Sequence, residues 1–593
     1  MQPIVESLVR RFWRWNRGGI LRRRPRSRIP YERWCERHDS LPPALSAELT
    51  AFAATLHPEL SVDLLLLGGP SGQVREAWLS ALKAQIFERW RLHVVRMPGA
   101  TREEVEWWLE QSRIDARIWC HGVDDPERTG WRALLHGLEG PWCSVVSEFE
   151  YFRPHTLLML LEAASANPNA VVVYGDEDRI DESGRRHSPW FKGDFDPESL
   201  LGHDAIGRPA LFRTEKVREC AQGLDATSPA LLHDLALQVT DGVGARDVVH
   251  VPHVLCHRRN EPHAEPQASA RVVQSCLERR GIAAQAECMP DPRWPSVRVR
   301  FELPEPRPSV TIVVPTRNNL DMSRRCVASV LERTTYRDYE VLIVDNGSDD
   351  PACLRWLASV SEHPTVRVRR DERPFNFSTL NNDAVREARG QFVALLNDDV
   401  EVITPGWLEE MVSLAARPGV GAVGARLLYA DHSLQHGGVV VGLQGAAGHV
   451  LKRLARAEPG PGGRARLLQS YLAVTGACLV VRRALYESVG GMDEAAFAVA
   501  FNDVDLCLKL HAAGYRNLWT PHAELFHHES VSRGREEPLV RKRRLQLESR
   551  ALRERWSHWM ERDPHYNPNL SLTADDFSLA DPPRVRLRSP RDP

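Results

Sequence analysis

Four polar clusters stand at the ends of apolar runs, and their residue types could do chemistry. Asn397-Asp398-Asp399 directly follows FVALL. Paired carboxylates on a short turn are hard oxygen ligands of the kind Mg²⁺ and Mn²⁺ prefer. Asp503 and Asp505 open FNDVDLCLKLHAAG, where Phe501, Leu506 and Leu510 have helical spacing. A carboxylate at such a helix start could accept a proton. His527 and His528 follow Leu525-Phe526, and a histidine there could ligate a metal or contact a phosphate. Asp345-Asn346-Gly347 closes the run VLIV and offers another acidic acceptor. Each cluster alone has a plainer reading, because Asn and Asp favour turns, Asp caps helices, and paired histidines also end ordinary strands.

The elements that must position these clusters follow from the apolar pattern. Val310 to Val314 is a β-branched run, predicted as a buried strand. Leu320 to Arg333 has helical periodicity, Val341 to Val344 is a strand, and Val366 to Val368 alternates with arginine as an edge strand would. Ser378 is the expected N-cap of a helix through Ala384 to Ala388 that stops near Gly390, before the strand Phe392 to Leu396. Strands alternating with helices imply a mostly parallel sheet covered on both faces. Ligands then bind at the carboxyl ends of the strands. Thr316 to Asn319, Asp345 to Asp350 and Asn397 to Asp399 all fall at such ends.

The first half reads as α/β too, with strands at Val62 to Leu67, Leu92 to Val95 and Val171 to Tyr174 and a helix at Val74 to Phe87. The two halves are expected to be one large duplicated unit. Between them, FELPEPRP (Phe301 to Pro308) favours an extended linker. Two tempting signals fail on context. Gly419 to Gly424 spells GxGxxG, but it follows a helix and precedes strand-like Arg426-Leu427-Leu428, the reverse of a dinucleotide loop. His250, His253, Cys256 and His257 suggest zinc, yet a strand with alternating side chains explains their spacing more simply.

Read together, SVTIVVPTRNN, YEVLIVDNGSDD, NFSTLNNDAVREARGQFVALLNDDVEVI, TGACLVVRR, GGMDE, NDVDLCLKLHAAGYR and HHESVSRG, in this order, resemble the family-2 glycosyltransferases. The likeness is strongest to the bacterial rhamnosyltransferase-like group of tandem-domain O-antigen and polysaccharide enzymes. It implies a GT-A type nucleotide-sugar fold and a one-step inverting transfer. By resemblance Pro315, Thr316, Arg317, Asp345, Asn346, Asn376, Asn382 and Asp398 belong to the donor site. Asp399 ligates Mg²⁺ or Mn²⁺, with His527 or His528 closing over metal and diphosphate. Asp503 is the base, and Thr475, Gly476, Asn502 and Asp505 lie on the acceptor side. Asn502 departs from the acidic residue usual before the base, which alters the local electrostatics. The implied partners are a nucleotide-sugar donor, such as dTDP-rhamnose or a UDP-sugar, and a lipid-linked or oligosaccharide acceptor.

The first half resembles a degenerate copy of the same domain, carried by NPNAVVVYGDEDRIDESGRRHSPWFKGD and HVPHVLCHRR. Where the opening loop, the second-strand Asp and the metal triplet should stand, it has Gly68 to Ser71, Arg96-Met97 and Ser147 to Glu150. Asp176, Glu177 and Asp178 survive, as easily a solvated turn as a site. The expected division is a basic arm at 1–36, the degenerate domain at 37–300, the linker at 301–308, the catalytic domain at 309–534 and a helical and extended tail at 535–593.

Bulk properties narrow the classes. A net charge of -2 gives no argument for nucleic acid. Eleven scattered cysteines without a CxxC pair suit a reducing compartment. No run approaches the ~20 apolar residues of a membrane span, and no signal-peptide core is read, so a cytoplasmic setting is expected. The arginine-dense stretch Arg10 to Arg33, with Leu8, Phe12 and Trp15 at helical spacing, suits an anionic membrane surface and peripheral attachment to the inner membrane. Two readings compete with a transferase: a non-catalytic glycan-binding scaffold, and a nucleotide-sugar hydrolase in which water replaces the acceptor.

Overall fold

The computed structural model describes residues 29–67, 74–95, 100–121, 129–259, 266–289, 291, 294–528 and 538–587. The basic arm before residue 29, the turns read at Gly68 to Ser71 and Arg96-Met97, and the closing segment beyond His528 lie outside these residues.

Two mixed sheets dominate. The first half contributes β1 (Val62–Leu67), β2 (Trp90–Val95), β3 (Ile118–His121), β4 (Trp142–Val146), β5 (Glu150–Phe152), β6 (Val172–Ile180), β7 (Ala210–Arg213) and β8 (Val248–Arg258). They pair in the order β3-β2-β1-β4-β7-β6-β8-β5. The second half contributes β9 (Val310–Thr316), β10 (Tyr339–Asp345), β11 (Val366–Arg370), β12 (Phe392–Leu396), β13 (Val400–Val402), β14 (Val420–Leu428), β15 (Cys478–Arg482) and β16 (Arg516–His527). Their order is β11-β10-β9-β12-β15-β14-β16-β13. The two paths are the same, and their parallel and antiparallel junctions match one for one. The expected α/β class with two copies in tandem is what the chain forms.

Strand alternation explains the layers. Val313, Leu342, Val393 and Leu395 face one buried cluster, while Ile312, Val314, Val341, Ile343 and Ala394 face another on the opposite side. A strand buried on both faces needs a continuous apolar run, and VTIVV and VLIV supply it. The GxGxxG stretch begins in the turn at Gly419 and runs into β14 from Val420, not into a helix. A Cβ on Gly424 would meet Val474 Cβ at 2.5 Å, so close strand packing accounts for that glycine.

The link between the halves is not a free spacer. Phe301 ends a hairpin (Ala284–Met289 with Ser296–Phe301) and packs beneath the Arg417 guanidinium at 3.9 Å. Nearby, buried Glu198 of the first half pairs with Arg417 at 2.6 Å and Arg516 at 3.1 Å. Asp196 accepts the Ser470 backbone N–H at 2.8 Å and its hydroxyl at 2.7 Å.

Two segments read as appendages are structural. Part of the expected arm, Tyr31–His38, is a helix that buries Trp34 and Cys35. Its Trp34 Nε1–H donates to Ala580 O at 2.8 Å. The C-terminal helix Pro538–Glu561 leads into a tail that returns to the first half. Asn567 Nδ2 donates to Asp176 Oδ2 and to Lys192 O, both at 2.8 Å, and Asn569 Nδ2 donates to Pro252 O. Asp176, Glu177 and Asp178 are therefore no solvated turn. They lie buried in β6, with Asp176 taking His250 Nε2 at 2.8 Å and Asp178 engaged by Tyr31 and Arg186.

The tail contact makes a prediction. Asn567→Ala leaves Asp176 Oδ2 buried without that donor, which should cost about 1–3 kcal/mol. Denaturant unfolding measures it, and an unchanged midpoint would show that the tail does not hold the halves.

Candidate active site

The carboxyl ends of β9, β10 and β12 converge as the sequence implied. Thr316, the last residue of β9, donates its hydroxyl to Asp398 Oδ2 at 2.8 Å. Asn319 Nδ2 at 3.0 Å and Ser323 Oγ at 3.2 Å reach the same oxygen from the first turn of the next helix. Burial pushes the Asp398 carboxyl up to about 6, and Asp399 beside it pushes the same way, against those three hydrogen bonds.

Asp399 and His527 meet because Val400 pairs with His527 across the antiparallel β13–β16 junction. Asp399 Oδ1 lies 3.1 Å from His527 Nε2. The other ring nitrogen is committed: Nδ1 lies 2.7 Å from Gln435 Oε1, while Gln435 Nε2 donates to His527 O at 3.2 Å. The amide oxygen must therefore accept from Nδ1–H. In neutral His527 that leaves the Nε2 lone pair beside the Asp399 carboxylate oxygen, with Asn397 Nδ2 at 3.5 Å as its one long amide donor, an arrangement that a cation between carboxylate and imidazole would suit. His528 points elsewhere, to Glu401 Oε2 at 3.2 Å. Successive side chains of a strand face opposite ways, so only one of the pair can face Asp399. Among the described residues no three His, Cys, Asp or Glu side chains gather as a metal site.

Asp503 borders this cluster. Asn397 N–H donates to Ala477 O at 3.0 Å, and Gly476 N–H donates to Asp503 Oδ2 at 2.8 Å. The carboxylate turn, Thr475-Gly476 and Asp503 are thus contiguous through two backbone contacts. A side chain at 476 would bring its Cβ within 3.2 Å of Asp503 Cβ. Asp503 is half-buried at the start of the helix Asn502–Ala512, and the Asn502 amide oxygen accepts the Asp503 N–H at 2.8 Å. The residue before the helix, Phe501, sits at φ 61, a costly conformation for a bulky side chain. The C-terminal helix steadies that turn, since Glu548 accepts the Val499 and Ala500 N–H groups at 3.0 and 3.1 Å.

Several expected site residues serve the fold instead. Asn376, not Ser378, caps the helix Phe377–Glu387, and its amide donates to Glu494 O. Asn382 is used up by Met492, Glu494 and Tyr486. Asn346 donates to the carbonyls of Asp371 and Arg373. Each was expected at the donor; the protein satisfies both amide atoms of Asn376 and Asn382, whereas the Asn346 amide oxygen stays buried without a partner among the described residues. Asp505, expected on the acceptor side, is fully buried and holds Arg555 and Trp556 Nε1, both at 2.9 Å. Two residues along a helix from Asp503, it faces nearly the other way. Asp345 ends β10 buried and accepts the Ser348 N–H at 3.0 Å and Arg370 Nη1 at 2.7 Å. Pro315 is buried within β9, and Arg317 is exposed at its mouth. Asn319, Ser323 and Gln435 were missed. Asn319 and Ser323 are one turn apart on a helix that starts beside Thr316, a readable signal, whereas nothing marks Gln435.

The equivalent place in the first half is chemically different. Arg258 pairs with Glu150 as His527 pairs with Val400. Arg259 N–H donates to Phe149 O at 2.9 Å as His528 N–H does to Asp399 O. Phe149 and Arg258 thus occupy the positions of Asp399 and His527. The Arg258 guanidinium lies 2.7 Å from Glu177, and Lys192 joins that carboxylate at 3.0 Å. Against the upward push of burial, these two cations hold the Glu177 carboxyl at about 2.

Residues 311–488 match the model of glycosyl transferase family 2. A 225-residue stretch is 30% identical to the N-acetylglucosaminyl-diphospho-decaprenol L-rhamnosyltransferase of Mycobacterium tuberculosis, covering 35% of this chain and 72% of that protein. The chain belongs to glycosyltransferase family 2. It is also 31% identical over 606 residues to the O-antigen biosynthesis protein RfbC of Myxococcus xanthus, which spans 98% of this chain and 46% of that protein. An uncharacterized protein of Sinorhizobium fredii, y4gI, is 40% identical over 454 residues, or 75% of this chain and 50% of that one. The chain spans about half the length of these two curated relatives. The family-2 match takes in Thr316, Asp345, Asp398, Asp399, Thr475 and Gly476 and ends before Asp503 and His527.

The raised Asp398 carboxyl gives a pH signature in this family-2 site. Its folded value near 6 exceeds the ordinary 3.8, so ionisation opposes folding. The opposition is absent below about pH 4 and complete above about pH 6. In chelator, Asp398→Asn should match the parent's thermal midpoint at about pH 4 and exceed it at about pH 7 by at least about 2 °C. An equal difference at both pH values would contradict the assignment.

Proposed function

We propose that the chain is an inverting glycosyltransferase that moves a sugar from a nucleotide-sugar to a growing cell-surface polysaccharide, on a lipid-linked or oligosaccharide acceptor at the cytoplasmic membrane face. The observation that carries the reading is the Asp399–His527 contact at 3.1 Å with the imidazole tautomer fixed by Gln435. A carboxylate oxygen and an imidazole lone pair are a donor set open to Mn²⁺, while Mg²⁺ would rely on the carboxylate with phosphate and water oxygens. Two side-chain ligands leave the remaining coordination positions to phosphate oxygens and water. When bound, the cation would offset the charge that gathers on the departing diphosphate.

The residues around it have distinct tasks. Thr316, Asn319 and Ser323 orient Asp398 and fix the carboxylate turn. Asp345 stands where it could take a ribose or base donor, sharing its second oxygen with Arg370. Asp503 takes the proton of the acceptor hydroxyl. The acceptor oxygen bonds to the anomeric carbon from the face opposite the leaving group, and the bond from that carbon to the diphosphate oxygen breaks. Inversion follows from that single in-line displacement. Gly476 N–H, donating to Asp503 Oδ2, and Val504 N–H, donating to Oδ1, fix the direction of the carboxylate.

The O-antigen role in the name of the Myxococcus xanthus relative and the rhamnosyl transfer in that of the mycobacterial one support a polysaccharide acceptor and a donor such as dTDP-rhamnose or a UDP-sugar. We assign donor chemistry to the second half alone. In the first, Phe149 and Arg258 place an aromatic ring and a paired guanidinium where Asp399 and His527 stand, and that half would hold the acceptor or brace its partner.

Asp503→Asn keeps shape and hydrogen bonding but accepts no proton. Transfer from a nucleotide-sugar in Mn²⁺ should fall by roughly 10²–10⁴ with donor affinity retained. Weaker donor binding at unchanged turnover would make Asp503 a donor-site residue. Sugar release to water at equal rate with and without a glycan acceptor would favour a hydrolase.

A further inference from the structure

The C-terminal helix Pro538–Glu561 has two dissimilar faces over its first three turns. Its inner face is fixed by Glu548, 3% exposed and holding the Val499 and Ala500 N–H groups, and, one turn further on, by fully buried Leu552. Its outer face carries Leu539 at 72%, Val540 at 52% and Leu547 at 60% exposure. At about 100° per residue, Leu539, Arg543 and Leu547 lie along one side and Glu548 opposite them. Exposed Lys542 and Arg543 flank the aliphatic groups, and Arg541, seven residues before Glu548 and on its side of the helix, is exposed as well. From Pro538 to Leu547 the sequence has no acidic residue. Three large aliphatic side chains so fully in water, framed by cations, form a face built for contact rather than for solubility.

We propose that this outer face lies on an anionic lipid bilayer. The aliphatic groups would enter the acyl boundary while the cations meet lipid phosphates, which is how basic amphipathic helices bind in the plane of a membrane. The run of cations also rules out a spanning role, and no helix among the described residues is long and apolar enough to cross a membrane. Charge excludes the nearest alternatives. The arginine-dense arm of this chain and the same face of a second copy would both bring like charge to Arg541, Lys542 and Arg543. Contiguous Leu539-Val540 with Leu547 two turns on favours lipid over an acidic protein, whose contacts would need no exposed aliphatic stripe. The surface is separate from the sugar-transfer site, so the proposal stands whether or not the transfer chemistry is as assigned. It also differs from the membrane role expected of the arm, because it rests on residues 539–547.

Co-sedimentation of the full chain with vesicles tests it. One set is phosphatidylcholine, the other phosphatidylcholine with about one-third phosphatidylglycerol. The parent should bind the anionic vesicles and not the neutral ones. Leu539→Ser with Leu547→Ser, and separately Arg541→Gln with Lys542→Gln and Arg543→Gln, should each weaken binding at least about 10-fold. Circular dichroism and the thermal midpoint should not move, since all five positions are exposed. The arm is present in every variant, so a loss reports this helix. Undiminished binding by the leucine variant overturns the proposal. So does a parent that ignores anionic vesicles, which would point to an acidic protein surface. A concentration-dependent dimer by light scattering, lost in both variants, also overturns it, because a second copy would then cover the face.

Discussion

The antiparallel junction between a three-residue strand and the end of the longest strand decides what each half of this chain can do. In the second half, pairing of Val400 with His527 draws Asp399 against His527 Nε2 from a distant part of the sequence. The same junction in the first half draws Phe149 and Arg258 together. Backbone geometry is retained, while the carboxylate–imidazole pair of one half is replaced by an aromatic ring and a guanidinium in the other. Leu427, buried in β14, has its counterpart in Glu177 of β6, which the first half needs to neutralise Arg258. The Arg258 guanidinium, largely withdrawn from water, is balanced by that carboxylate at 2.7 Å, since a cation so placed without a counter-charge would be costly.

That exchange ties the first half to the rest of the chain. Its buried carboxylates are held by residues from outside its own sheet: Tyr31 on Asp178, Asn567 on Asp176. The C-terminal segment runs from the helix that braces the Asp503 turn, through Asp563 on Val441 N–H, to Asn567 in the first half. These buried carboxylates thus serve as the points at which the flanking segments brace the first half. The strained Phe501 turn is held on one side by Glu548, and its neighbour Asp505 by Arg555 and Trp556, so the position of Asp503 depends on residues beyond the family-2 match.

Elements with a strong local pattern were legible in the sequence. VTIVV, VLIV and FVALL form strands where their apolar runs end, and the polar clusters fall at the carboxyl ends. Patterns that depend on partners were not. Asn376 and Asn382 look like site amides, and only the fold reveals that Glu494 and Met492 claim them. Which histidine faces Asp399 is set by strand pairing and side-chain alternation, which two adjacent histidines leave open. The tail after Glu561 buries scattered apolar residues, Tyr566, Leu570 and Phe577, that follow no strand or helix period and so do not announce its path, and Asn567 adds polar contacts. One clue was available and unread: Arg258-Arg259 end β8 as His527-His528 end β16.

The central claim is that one half of a duplicated frame holds the donor, and that Asp399 is indispensable there. Calorimetric titration of the full chain with a nucleotide-sugar in Mn²⁺ tests it most directly, alongside Asp399→Ala. The account predicts one site per chain in the parent and none in the variant. Two sites in the parent, or an undiminished site in Asp399→Ala, would place donor binding in the first half and contradict the account.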